Sequence, residues 1–169
     1  MPFSVVPDTL FDRYDAITPA YLQERGIRLL LSDLDFTLAT RQTLHPDGAV
    51  KAWLSALHAA GIEVMIVSNN RSGRRVTAFC AELGIPYEGH AGKPGGRGLR
   101  AAMARAGASA EETAMLGDKL LTDCLAANRC GVTALMVEPL GGAVTFGQKI
   151  LHALQAPAKR TCRRRSGQK

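Results

Sequence analysis

Five short apolar runs, each followed by a segment with helical spacing, restrict this chain to very few folds. Leu29-Leu30-Leu31, Ile62 to Val67, the IPYEG stretch, TAMLG and VTALMVE read as strands. Between them, Asp47 to Ala60 carries Val50, Trp53, Leu54 and Leu57 at i, i+3, i+4 and i+7, and Arg71 to Leu83 carries Val76, Phe79, Cys80 and Leu83 in the same way. Gly96 to Ala106 and Leu120 to Arg129 complete the helical set, and Gly61, Gly84, Gly107 and Gly131 stand where helices stop. Strand and helix in alternation, with short connections, predict an α/β fold: a doubly wound parallel sheet, Rossmann-like, with helices on both faces. Residues 8 to 25 read as two short helices, with Thr18-Pro19 as cap and first-turn proline. Val144 to Leu154 reads as a helix packed on the sheet.

The chain has 169 residues and 46 % hydrophobic content, which suits one domain with a substantial core. No apolar run approaches the ~20 residues of a membrane span, and the first residues lack the basic start and apolar stretch of a secretory signal. The cytoplasm is the expected location. Cys80, Cys124, Cys130 and Cys162 have no CxxC spacing and read as reduced structural residues. Charge is uneven: the first 155 residues balance, and the last 14 carry the whole net charge of +6. The expected organisation is therefore one domain over 1–155 and a flexible basic tail over 156–169, suited to anionic lipid at the inner face of a membrane, to nucleic acid, or to solubility alone.

In a doubly wound sheet, ligands sit outside the carboxyl ends of the strands. The first run ends in DLDFTL, which delivers Asp33 and Asp35 with Thr37 behind; the second delivers Ser68 in VSNN. GKPGG brings Lys93, and GDKLLTD brings Asp118 and then Asp123. Clustered carboxylates without histidine or cysteine partners suit a hard cation such as Mg²⁺, which offsets their mutual repulsion. Lys93 is a point charge for phosphate, and Ser68 with the backbone N–H groups that follow offers donors to an anion. That set supplies the positioning and charge neutralisation that phosphoryl transfer needs. Asp33, at the strand end, is the candidate nucleophile; Asp35, two residues on, is the candidate acid/base.

DLDFTL, SNN, GKP and GDKLLTD, in that order, resemble the four motifs of haloacid-dehalogenase (HAD) superfamily phosphatases, and with ITPAYLQERGI, ELGIPY and LLTDCLAANRCG most resemble the YqeG family of class IIIA. The resemblance runs from about Phe3 to Gln155. It implies an aspartyl-phosphate on Asp33 and acid/base work by Asp35. It implies Mg²⁺ held by Asp33, the backbone carbonyl of Asp35 and Asp118, with Asp123 as a further metal residue acting directly or through water. Thr37, Ser68, Asn69 and Lys93 are implied to surround the phosphoryl group, with Thr37 also supporting the loop after the first motif. Relatives include phosphatidylglycerophosphate phosphatases, so that lipid is the implied substrate. Phe36 departs from the pattern, since relatives often carry Asn there.

The segments between Leu38 and Asp47 and between Glu88 and Lys93 are too short to fold into a cap domain. An uncapped site would admit a lipid headgroup, a macromolecular phosphate, or a small ester enclosed at a homo-oligomer interface. Two other classes are distinguishable. A receiver-like phosphoacceptor would keep its phosphoryl group, which Asp35 argues against. A nucleic-acid-associated protein acting through its tail would show salt-sensitive RNA binding; the chain has no interleaved aromatics or known motif for it, so nucleic acid is not the expected partner. His45, His58, His90 and His152 share no metal-like spacing, and GKPGGRG lacks the spacing of a nucleotide P-loop.

Overall fold

The computed structural model describes residues 4–69, 73–141 and 155–162. Its centre is a six-stranded, all-parallel sheet: β1 (Thr9–Phe11), β2 (Leu29–Ser32), β3 (Glu63–Val67), β4 (Tyr87–Glu88), β5 (Thr113–Gly117) and β6 (Thr133–Val137), in the order β1-β6-β5-β2-β3-β4. From β2 the chain steps outward through β3 to β4, then returns to the other side of β2 for β5 and β6. The switch in direction falls between β2 and β5, where a ligand crevice opens in such sheets.

The helices α2 (Gly48–Ala59) and α3 (Gly73–Leu83) cover one face, and α4 (Arg97–Ala106) and α5 (Leu125–Cys130) the other. Alternation along β2 explains how one strand serves both: Leu30 joins Trp53, Leu57 and Phe79 on the first face, while Leu29 and Leu31 join Leu99, Ala102 and Ala127 on the second. Asp47 caps α2 by accepting from the Val50 N–H at 2.9 Å, a contact of about 1 kcal/mol. Trp53 is core, as its helical position requires, and its indole N–H donates to the Ile17 carbonyl at 2.9 Å.

Residues 8 to 25 hold the two short helices expected there, and before them a strand that was not expected. Thr9–Phe11 is an edge strand paired with β6, followed by a single 3₁₀ turn at Tyr14–Ala16 and the short α1 (Pro19–Gln23), capped by Thr18. Three residues are too few for a period of two to register in a sequence. Of the tail expected from residue 156, the described residues 156–162 continue a helix described from 155. Gln155, Lys159 and Cys162 are buried there, and Lys159 Nζ lies 2.6 Å from Glu138 Oε2. The helix expected over Val144 to Leu154, the rest of the tail, and the residues just before α3 lie outside the described residues. Among the described residues, no helix is long and apolar enough to cross a membrane.

Candidate active site

Register brings the motif residues together. Leu31 of β2 stands opposite Met65 of β3 and Met115 of β5, and Ser32 opposite Ile66 and Leu116. Asp33 continues the ladder, donating its N–H to the Leu116 carbonyl at 2.8 Å. Its carboxylate therefore emerges level with the ends of β3 and β5, where Ser68 and Asp118 follow. An open cleft of about 630 Å³ lies there, lined by Asp33, Asp35, Ser68, Lys93, Lys119 and Asp123, with Arg41, Asn69, Arg75 and Thr122.

The cleft floor is a buried charge cluster. Lys93 Nζ lies 2.8 Å from Asp33 Oδ1 and 2.7 Å from Asp123 Oδ1, and donates to the Val67 carbonyl at 2.8 Å; the side chain is 2 % exposed. Burial alone would lower the pKa of this ammonium, but Asp123 and Asp33 outweigh it and raise it. Lys119 Nζ lies 2.7 Å from Asp118 Oδ1 and 4.0 Å from Asp33 Oδ2. Burial pushes the Asp118 carboxyl up to about 6; Lys119 opposes that, and Asp123 and Asp33 add to it. Burial likewise raises Asp123, against the pull of Lys93.

Asp123 reaches the floor because the helix after β5 begins with a π-helical turn, Leu120–Cys124, before α5. Such turns often occur at functional sites. Its Oδ2 accepts from the Lys119 N–H at 3.1 Å, and the carboxylate lies back across Gly117. A Cβ at Gly117 would meet the Asp123 carboxylate carbon at 2.3 Å, so the glycine of GDKLLTD is required by close approach.

Three carboxylates, Asp33, Asp118 and Asp123, each place one oxygen within 4.8 Å of the others, and all three are buried. Asp123 Oδ1 has no hydrogen-bond partner; Lys93 neutralises it by proximity without a well-directed bond. Oxygen-only ligands at this spacing, one of them unsatisfied, fit a hard divalent cation. The formal charges agree: three carboxylates against Lys93 and Lys119 leave one negative charge, which a divalent ion converts to a positive floor for an anion.

Asp35 stands apart from that triad. Its Oδ1 accepts from Arg75 Nη1 at 2.5 Å, and Arg41 Nε lies 3.7 Å from its Oδ2. Arg75, on α3, was not among the residues singled out in the sequence. Its guanidinium also donates to the Thr40 carbonyl at 2.6 Å and the Thr43 carbonyl at 2.9 Å, tying Asp35 to the loop that follows the first motif. Arg75 shows no spacing that separates it from Arg74 beside it.

Two expected phosphate contacts sit differently. Thr37 is fully buried and off the cleft wall; its hydroxyl lies 3.5 Å from Asp118 Oδ1, so it braces that carboxylate. Asn69 lines the cleft, but its amide is committed to the Lys93 backbone, donating to the carbonyl at 2.7 Å and accepting from the N–H at 2.9 Å. Both act on the positions of Asp118 and Lys93. The backbone donors expected after Ser68 fall outside the described residues.

Comparison with known proteins agrees with this arrangement. Residues 8–131 match the model of a hydrolase family, the haloacid dehalogenase-like hydrolases. The chain is 35 % identical over 141 residues to "Probable phosphatase YqeG" of Bacillus subtilis, covering 83 % of this chain and 81 % of that protein. It is 32 % identical over 127 residues to the chloroplastic phosphatidylglycerophosphate phosphatase 1 of Chlamydomonas reinhardtii, covering 70 % of this chain but 47 % of that longer protein. Among solved structures, the cobalt-bound deoxy-D-mannose-octulosonate 8-phosphate phosphatase of Haemophilus influenzae superposes with a TM-score of 0.54 at 21 % identity, covering 80 % of this chain and 90 % of that chain. With its fold, its motif order and a relative matched over most of both lengths, the chain belongs to the haloacid dehalogenase-like hydrolases, as a phosphatase similar to YqeG.

Proposed function

We propose that the chain hydrolyses phosphomonoesters with Mg²⁺ through an aspartyl-phosphate on Asp33, and that its substrate is phosphatidylglycerophosphate. The observation that carries the reading is the separation of two carboxylate roles: Asp33 lies in the buried cluster with Lys93, Asp118 and Asp123, while Asp35 is held apart by Arg75. Asp33, Asp118 and Asp123 are the side chains that would hold the metal, with the Asp35 carbonyl. The metal, when bound, supplies charge neutralisation for the phosphoryl oxygens.

Asp33 attacks phosphorus, the ester P–O bond breaks, and the Asp35 carboxyl gives its proton to the departing alkoxide oxygen. Asp35 then takes a proton from the water that attacks the aspartyl-phosphate, whose P–O bond to Asp33 breaks to release inorganic phosphate. Lys93 holds Asp33 in place and offers charge to the phosphoryl group. Arg75 fixes Asp35 at the leaving-group side.

Three features support a lipid substrate. One 32 % identical relative is named for phosphatidylglycerophosphate. Among the described residues, the loops around the cleft are short. Leu44, on the loop after the first motif, and Leu121, on the π-helical turn beside the cleft residue Thr122, are 62 % and 51 % exposed; apolar side chains near a basic rim suit the surface of an anionic membrane.

The test is phosphate release from phosphatidylglycerophosphate in mixed micelles, with Mg²⁺, with EDTA, and with Asp33→Asn, beside a panel of soluble phosphate esters. Metal-dependent turnover that is lost in Asp33→Asn and is strongest on the lipid is expected. Stronger turnover of the soluble esters would keep the mechanism and discard the lipid.

A further inference from the structure

The rim of the cleft on the leaving-group side carries more positive charge than the reaction consumes. Arg75 neutralises Asp35 at 2.5 Å. Arg41 is then in excess: it is 68 % exposed, and its described contact with an acid is the 3.7 Å approach to Asp35 Oδ2, too long for a hydrogen bond. An exposed arginine on a loose loop would mean little. This one stands on a fixed loop. Arg75 donates to the Thr40 and Thr43 carbonyls on either side of it, and the Thr40 and Thr43 hydroxyls lie 2.9 Å apart.

Its guanidinium also has a platform. The Phe36 ring has Arg41 Cζ 5.6 Å from its centroid and Lys119 Nζ 5.8 Å from it. Phe36 adopts φ 68°, the left-handed region that an aromatic residue enters only at a cost. The ring thus lies within reach of two cations that line the cleft. Lys119 is paired inward with Asp118, and Arg41 lies on the outer side.

We propose that Arg41, resting on Phe36, is a subsite for a second negative charge carried by the leaving alcohol. This deepens the phosphatase reading and rests on it. Arg41 and Asp35 share one side of the cleft, and Asp35 is the residue that protonates the departing oxygen. An anion that Arg41 holds therefore belongs to the leaving group and not to the phosphoryl group. The substrate class is a phosphomonoester whose alcohol bears a phosphodiester or a second phosphate close to the ester oxygen. A lipid headgroup and a soluble bis-anionic ester share that chemistry.

The experiment separates binding from turnover. Asp33→Asn, with Mg²⁺ present, is titrated calorimetrically with glycerol 3-phosphate, with the deacylated headgroup glycerophosphoglycerol phosphate, and with phosphatidylglycerophosphate in micelles. The titrations are repeated in Asp33→Asn/Arg41→Gln and Asp33→Asn/Arg41→Lys. The deacylated headgroup is expected to bind roughly tenfold tighter than glycerol 3-phosphate, the scale of one charge-assisted contact. Arg41→Gln should erase most of that ratio, and Arg41→Lys should restore part of it. Equal affinity for the two soluble esters, or an equal loss on both in Arg41→Gln, overturns the subsite. A preference confined to the micellar lipid, with none for its headgroup, also overturns it in favour of acyl-chain recognition. Turnover by the unmodified chain is measured separately. Preference without turnover keeps the subsite and removes the phosphatase reading; turnover without preference does the reverse.

Discussion

The floor and the rim of the same cleft are built on opposite terms. The floor is a closed network: Asp33, Asp118, Asp123 and Lys93 are each 7 % exposed or less, and with Lys119 they leave one net negative charge. The rim is open and unbalanced, with Arg41 in solvent and one arginine, Arg75, supplying three of its hydrogen bonds. Buried charge is costly unless paired, so the floor gains order only as a complete set. A rim charge in water costs little and can be spent on a ligand. The floor thus fixes the chemistry, and the rim is free to choose the alcohol.

If the floor is one unit, removing its central cation has the largest effect. Lys93→Met leaves Asp33 and Asp123 buried without their counter-charge, at a cost of roughly 3–5 kcal/mol. Denaturant melts should show that loss together with abolished phosphate release. A variant that is inactive but as stable as the unmodified chain would break the picture of mutual dependence.

The floor's unmet negative charge gives the next effect. With its pKa raised from 3.8 to about 6, Asp118 binds its proton more tightly in the folded state. This group therefore favours the fold at low pH, and that contribution fades as pH rises from about 4 through 6. Above 6 the ionised carboxylate is a cost of roughly 3 kcal/mol at most, which a divalent ion offsets. Mg²⁺ should raise the Tm little at pH 5 and by several degrees at pH 7.5. Thermal melts with Mg²⁺ and with EDTA at both pH values check this; an equal gain at both would separate Asp118 from the metal.

The rim predicts a rate effect with little loss of stability. Arg75→Lys keeps the charge, but one ammonium cannot bridge Asp35, Thr40 and Thr43 as the guanidinium fork does. Asp35 loses its fixed orientation, and kcat for phosphate release should fall by roughly ten- to a hundredfold, with a smaller change in KM. A lysine variant with unchanged kcat would reduce Arg75 to a local ion pair.

Floor and rim also differed in how legible they were. Asp33, Lys93 and Asp118 follow apolar strands in order, and a parallel sheet must bring strand ends together, so their convergence is legible in the sequence. Arg75 could not, because one arginine in RSGRR looks like its neighbours until the helix is docked. The roles of Thr37 and Asn69 were also out of reach: their motif places them near the phosphoryl group, but only packing shows that they brace Asp118 and Lys93. At the described start of the tail, composition was a poor guide: Lys159 and Cys162, with Gln155 before them, stand at helical spacing and form the buried side of a helix. A polar spacing of this kind carries no hydrophobic signal for a sequence to show.

The smallest predicted effect tests whether the rim has traded stability for recognition. At Phe36 the left-handed backbone costs roughly 1–2 kcal/mol, while two cation–π contacts near the limit of their range return about 0.5 kcal/mol each. Asn tolerates that backbone region, so Phe36→Asn should stabilise the chain by under about 1 kcal/mol, a Tm rise of roughly 2–4 °C at most for a chain of this size. The same change removes the ring on which Arg41 rests, so the preference for a doubly anionic ester should shrink. A lower Tm would mean that the packing of the ring outweighs the strain. A higher Tm with selectivity intact would mean that Arg41 finds its anion without the ring, leaving the strained backbone without a recognition role. A higher Tm with selectivity lost is the signature of a residue kept for what it binds.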